Sequence, residues 1–130
     1  PMNIFDIAGR AMSAQLVRLN ATASNMANAG NVTGSEKTAY RAIRPVFQSV
    51  TEKPGVSTVT VDKVVTTDAK PVKRHDPNHP LADANGDVFE APVDETAEMV
   101  EIMDASRQYQ NLVQALQTAK QLMLETLRSQ

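Results

Sequence analysis

The sequence predicts a mainly α fold, in which antiparallel N- and C-terminal coiled-coil helices flank a small β-hairpin and extended middle segment. Three observations carry that expectation. Asp94 to Arg128 contains neither Pro nor Gly, so nothing in it breaks a helix. Within it Ile102, Tyr109, Leu116 and Met123 recur every seven residues, with Ala105, Leu112 and Ala119 recurring every seven between them. This is the alternation of a coiled-coil seam. Phe5, Met12, Leu19 and Met26 repeat the same spacing at the other end of the chain. A helix with such a stripe buries it only against a partner. The length suits a single domain, read as an N-terminal helix (1–30), a middle segment (31–92) and a C-terminal helix (93–130).

In chain order, Asn3 is placed to cap the first helix, with Asp6 three residues on in a capping-box arrangement. Leu16 and Ala23 add to its apolar side, and Gly30 marks its end. Arg10 and Arg18 against Asp6 give this helix a net charge of +1.

The middle segment holds every proline except Pro1. Asn31 to Lys37 reads as a polar loop. Tyr40–Val50 and Val56–Thr67 are rich in β-branched residues on either side of Pro54-Gly55. They read as a β-hairpin or paired extended strands, with Pro45 confining the first to an edge. Asp68 to Pro92 is expected to run as an extended segment without regular structure, interrupted by a tight turn at Asn85-Gly86.

The C-terminal helix begins with Asp94, Glu95, Glu98 and Glu101 and ends near Arg128. That distribution suits the helix dipole, and the acidic residues read as a solvated helix start. Six acidic and three basic residues give it a net charge of −3, complementary to the first helix.

The totals exclude several functions. A net charge of −2 with both signs mixed argues against a nucleic-acid or anionic-membrane surface. The absence of cysteine removes disulfides, thiolate chemistry and Cys-type zinc sites. No stretch is apolar enough for a membrane span. The N-terminus lacks the basic and apolar regions of a cleaved signal peptide. Only five residues are aromatic, which predicts a thin core.

Little in the sequence points to catalysis. His75 and His79, with Asp76 and Asp83 nearby, have the spacing of a helical metal pair, but Pro77 and Pro80 oppose a helix there. Asp83, Asn85 and Asp87 imitate the start of a calcium loop, yet Val88 occupies the position that needs glycine. No phosphate-loop, dinucleotide, nucleophile-elbow or zinc-protease motif occurs. No metal, cofactor or catalytic residue is therefore expected. Met12, Met26, Met99, Met103 and Met123 lie on the two helices and suit adaptable packing against a partner.

Ala23-Ser24-Asn25-Met26-Ala27-Asn28-Ala29, preceded by Arg18-Leu19-Asn20, resembles the N-terminal signature of bacterial flagellar rod and hook proteins. Asn3 to Gly9, Tyr40-Arg41-Ala42, Val46-Phe47-Gln48 and Pro80 to Ala84 resemble the proximal-rod branch of that family. So do Glu98-Met99-Val100, Ala105-Ser106-Arg107 with Tyr109-Gln110, and Leu122-Met123-Leu124. The resemblance runs from end to end, and the chain departs from the pattern at Asn31 to Thr38 and Phe89 to Pro92.

It implies a non-enzymatic structural subunit of the basal-body rod in the periplasm, exported by the flagellar type III apparatus without cleavage. The implied partners are further copies of itself, proximal and distal rod proteins, the basal-body base and the export apparatus. On this reading the two helical stripes, Phe5, Met12, Leu19 and Met26 with Ile102, Ala105, Tyr109, Leu112, Leu116, Ala119 and Met123, form the assembly interface. The alternative is a soluble coiled-coil adaptor or chaperone with a single partner.

Overall fold

The computed structural model describes residues 3–130. The elements are α1 (Ile4–Asn28), β1 (Val32–Thr33), a 3-10 turn (Glu36–Thr38), β2 (Ile43–Lys53), β3 (Val56–Thr66), β4 (Val72–His75), β5 (Asp87–Glu90) and α2 (Glu95–Arg128). The first helix starts at the expected capping box. Asn3 Oδ1 accepts from the Phe5 and Asp6 amides, and Asp6 Oδ2 accepts from the Asn3 amide. Asp94 caps α2 by accepting from the Ala97 amide.

The expectation of a mainly α coiled-coil pair is corrected. The chain is about 48% helix and 25% strand, arranged in two antiparallel sheets, which makes it a mixed α and β fold. The two helices lie side by side, but their contact is not a plain apolar seam. Arg18, Thr22 and Asn25 occupy the face of α1 turned toward α2.

The middle segment contains more sheet than the sequence pattern conveys. β2 and β3 form a two-stranded hairpin of eleven residues each, with Ile43 opposite Thr66 and a bulge after Val46. Pro45 sits within that ladder opposite Val64. Proline is tolerated there because a strand of a two-stranded sheet is an edge. Gly55, at φ +81°, makes the turn.

Residues 68–92, expected to be irregular, supply β4 and β5. β5 is the centre of a three-stranded sheet in the order β1-β5-β4, with Glu90 opposite both Val32 and Val72. Strands of two and four residues are too short for alternation to reveal them. The loop between β4 and β5 is held by the Asp83 carboxylate, which accepts from the Asn85 and Asp87 amides at 2.9 Å each. Gly86 takes φ +76° there.

Helix α1 is the central element, with α2 along one side and the hairpin along another. The core between them is built from small residues. Among the described residues, every buried apolar one except Val88 is an alanine, Ala8, Ala14, Ala21 and Ala105 included. The largest fully buried side chains are Glu98, Val88, Asn25 and Thr22, three of them polar or charged.

Candidate assembly interface

The site begins with what fixes the helices. Asn25, fully buried, uses all four of its hydrogen-bonding positions. Its Nδ2 donates to the Ile43 carbonyl at 3.0 Å and to Glu98 Oε2 at 3.2 Å. Its Oδ1 accepts from the Tyr40 hydroxyl at 2.7 Å and from the Ile43 amide at 2.9 Å. One side chain thus joins α1, β2 and α2.

Glu98, 1% exposed, is also paired with Arg44, whose Nη1 lies 3.0 Å from Oε2 and whose Nη2 meets Oε1. The Glu98 hydrogen bond is the leading cause that raises the Arg44 pKa. A buried carboxylate needs such partners, because an unpaired one costs several kcal/mol.

A second connection lies seven residues toward the start of α1. Arg18 Nε donates to Glu101 Oε2 at 2.9 Å, and Arg18 Nη2 meets Asp104 Oδ2 at 2.8 Å. The Arg18 hydrogen bond holds the Glu101 carboxyl below its ordinary range, and Glu101 in turn raises Arg18. The solvated helix start expected for Glu98 and Glu101 is thereby corrected. One is buried and both carry the helix-to-helix contact.

These contacts set the register. The paired positions 18 with 101, 18 with 104 and 25 with 98 sum to 119, 122 and 123, so the helices are antiparallel. Ile4, where α1 begins, then lies opposite about residue 115–119 of α2. Residues 120–128 of α2 therefore run on for roughly 13 Å beyond α1, at ~1.5 Å per residue.

The α2 stripe can now be placed. At about 100° per residue, Ile102, Ala105, Tyr109, Leu112, Leu116, Ala119 and Met123 fall on one side of the helix, in line with Glu98. Burial decays along it. Ala105 is fully buried, and Ile102, Tyr109, Leu112, Leu116 and Ala119 are half-buried. Met123 is 47% exposed, beside Leu122, Leu124 and Leu127 at 58%, 41% and 60%. On α1, Phe5, Met12, Leu19 and Met26 are all half-buried. They lie roughly a third of a turn from the Arg18–Asn25 line that meets α2, so they form a separate ridge.

A cleft of ≈ 870 Å³ opens between the first half of α1 and the hairpin, lined by Phe5, Val17, Val59 and Val61 among others. The exposed ion pair Arg10–Glu52, at 3.1 Å, bridges helix and hairpin there.

The histidines are occupied elsewhere. His75 Nδ1 lies 2.9 Å from Asp87 Oδ1, and His79 Nδ1 accepts from the Leu81 amide. Among the described residues no group of three or more His, Asp or Glu is arranged to hold a metal ion, and no helix is long and apolar enough to cross a membrane.

Sequence reasoning missed Asn25, Arg44 and Glu98 as a unit. One signal was present. Glu98 stands seven residues before Ala105, in step with the seam, so the stripe itself carries it inward. Asn25 lies in the last turn of α1, where an Asn gives no local sign of a tertiary partner.

Comparison with known proteins converges on these same segments. Residues 5–34 match the family model described as flagella basal body rod protein. Residues 90–129 match that described as flagellar basal body rod FlgEFG protein C-terminal. The chain is 49% identical over 128 residues to the flagellar basal-body rod protein FlgC of Salmonella typhimurium, covering 97% of this chain and 95% of the relative. It is 51% identical over 128 residues to FlgC of Yersinia enterocolitica, with the same coverage. It is 36% identical over 130 residues to FlgC of Buchnera aphidicola from Schizaphis graminum, again covering 97% and 95%. Asn25 and Glu98 fall one in each matched segment.

Proposed function

The chain belongs to the FlgC family of flagellar basal-body rod proteins, and on that premise we propose how it works: as a non-enzymatic subunit whose helical stripes interlock with neighbouring subunits. It is a structural subunit of the flagellar basal-body rod. The finer reading is that it sits in the proximal rod, in the periplasm, and reaches it through the flagellar export apparatus without a cleaved signal. Its neighbours there are further copies of itself, other proximal and distal rod proteins and the basal-body base.

One observation carries the mechanism. The α2 stripe is covered by α1 at its start and bare at its end, while the Phe5–Met26 ridge lies off the line that meets α2 and stays half-buried. Apolar surface of that extent at helical spacing marks a protein contact. The polar contacts at Asn25, Glu98 and Arg18 hold the two helices in register, so that both stripes are offered as a rigid surface. Partners then bury the rest of Phe5, Met12, Leu19 and Met26 and of Leu112, Leu116, Ala119 and Met123.

Leu116→Glu and Ala119→Leu test this. Leu116 is half-buried in the single chain, so a carboxylate there still reaches water and the subunit folds. In an assembly it would be stranded, at a cost of several kcal/mol. Ala119→Leu overfills a close contact, at ~1–3 kcal/mol. Both variants are expected to be secreted and to yield no rod by electron microscopy of basal bodies. Complete rods built from Leu116→Glu subunits would overturn the assembly role of the stripe.

A further inference from the structure

We propose that the projecting end of α2 docks in the α1–hairpin cleft of a second copy of this chain, a head-to-tail contact that propagates along a filament. The inference rests on the assembly reading above and names the surface that the bare helix end meets.

Three observations point to this pairing. The first is continuity. Met123 and Leu127 prolong the stripe that α1 covers further back, and they stay 47% and 60% exposed because α1 has ended. What that stripe packs against within one chain is the flank of an α1 helix. The cleft of a second copy offers another α1 flank, walled on its far side by Val59 and Val61 of β3.

The second is dimension. Residues 120–128 span roughly 13 Å as a helix, and the α1 wall from Phe5 to Val17 runs roughly 18 Å. The helix end therefore fits lengthwise along that wall. The third is charge. Lys120, Glu125 and Arg128 give the helix end +1, while Asp6, Arg10 and Glu52 give the cleft −1. The signs favour this encounter and oppose pairing of two like ends.

The two surfaces lie on different parts of the subunit, so the contact is heterologous. Each docked copy leaves one free cleft and one free helix end, and growth continues unless the rotation closes a ring.

The absence of cysteine from the chain makes disulfide trapping a clean test. Cells producing Ser13→Cys and Leu127→Cys versions together are oxidised, and their basal bodies are isolated. Both positions are exposed, so neither change disturbs the fold. The expected result is a cross-linked dimer containing one of each version. A chain carrying both changes is expected to give a ladder of dimers, trimers and higher species. Ser13→Cys paired with Val100→Cys, which is 62% exposed but outside the helix end, is expected to give neither.

Three results overturn the proposal: cross-linking no stronger than that control, closed dimers without a ladder, or capture of a different rod protein in place of a second copy. The assembly reading fails separately. Leu116→Glu rods that assemble while the ladder still forms would sink the stripe and leave the docking intact. Rods lost in Leu116→Glu but without a ladder in the cysteine chain would do the reverse.

Discussion

Replacing Asn25 with Asp changes one NH2 group for an oxygen and leaves the packing as it was. In the parent that NH2 donates to the Ile43 carbonyl at 3.0 Å and to Glu98 Oε2 at 3.2 Å. In the variant an acceptor faces two acceptors, one of them a carboxylate. The new group folds inside only if it carries a proton. Keeping it neutral at pH 7, about three units above an ordinary Asp, costs ~4 kcal/mol. The proton then satisfies Glu98, and the Ile43 carbonyl remains unpaired at a cost of ~1 kcal/mol. The total is ~5 kcal/mol, a large part of the stability of a small domain.

The pH dependence has a definite sign. The folded-state pKa of the new carboxyl lies above its unfolded value of ~3.9, so the protonation cost vanishes below that pH and grows as pH rises. At pH 5 the deficit should shrink to roughly 2.5 kcal/mol. The assay is urea unfolding followed by circular dichroism at pH 7 and pH 5, each referenced to the parent chain at the same pH. With a urea slope of ~1–1.5 kcal/mol per molar, the two midpoint deficits should differ by roughly 2 M, or the folded baseline should disappear at pH 7. Equal deficits at the two pH values would refute the argument, because they would mean that Asn25 is not facing a buried charge.

Arg18→Ala removes the contacts to Glu101 and Asp104 and should cost ~1 kcal/mol, less in high salt. Arg18 holds the Glu101 pKa down, so that contribution is present above the unfolded Glu value of ~4.3 and lost as pH falls through the folded one; urea midpoints of parent and variant should converge in acid. Gly34→Ala would set a Cβ 2.8 Å from the Leu81 backbone oxygen, and the forced shift should lower thermal stability by ~1–3 kcal/mol. Replacing His75 and His79 together with Ala removes only exposed contacts and should leave motility on soft agar close to the parent's.

The helices were legible because they are long. Asn3, Asp6 and Gly30 bound α1 where their chemistry requires, and thirty-four residues without Pro or Gly left no alternative for α2. The hairpin was legible from Pro54-Gly55 between two β-branched runs. The three-stranded sheet was not, because β1, β4 and β5 are short and meet across long stretches of chain: Val32 pairs with Glu90, and Glu90 with Val72. Periodicity is local, and these pairings are not. The same limit hid the polar contacts. Near Glu98 in sequence, only its step with the α2 stripe separates it from Glu95, which is exposed; the partners that hold it, Arg44 and Asn25, lie more than fifty residues away. The mainly α reading failed for this reason, having weighed the middle segment by its local signals alone.

The distribution of apolar residues explains why such a subunit should finish its packing on a growing structure. Its buried apolar positions are nearly all alanine, and many of its large apolar residues, among them Ile4, Leu16, Met103 and Leu127, are exposed. Covering Leu122, Met123, Leu124 and Leu127, each about half exposed, would contribute roughly 4 kcal/mol at ~2 kcal/mol per fully buried side chain. Bringing two free molecules together costs an estimated ~4–15 kcal/mol in lost motion. One helix end in one cleft therefore does not hold two free subunits together. The loss of motion is incurred once per incoming subunit, however many surfaces it meets. A site where the helix end, the Phe5–Met26 ridge and the α2 stripe are all covered at the same time multiplies the gain without repeating that cost. The same weak contacts that leave free subunits separate thus favour addition at the end of an existing layer.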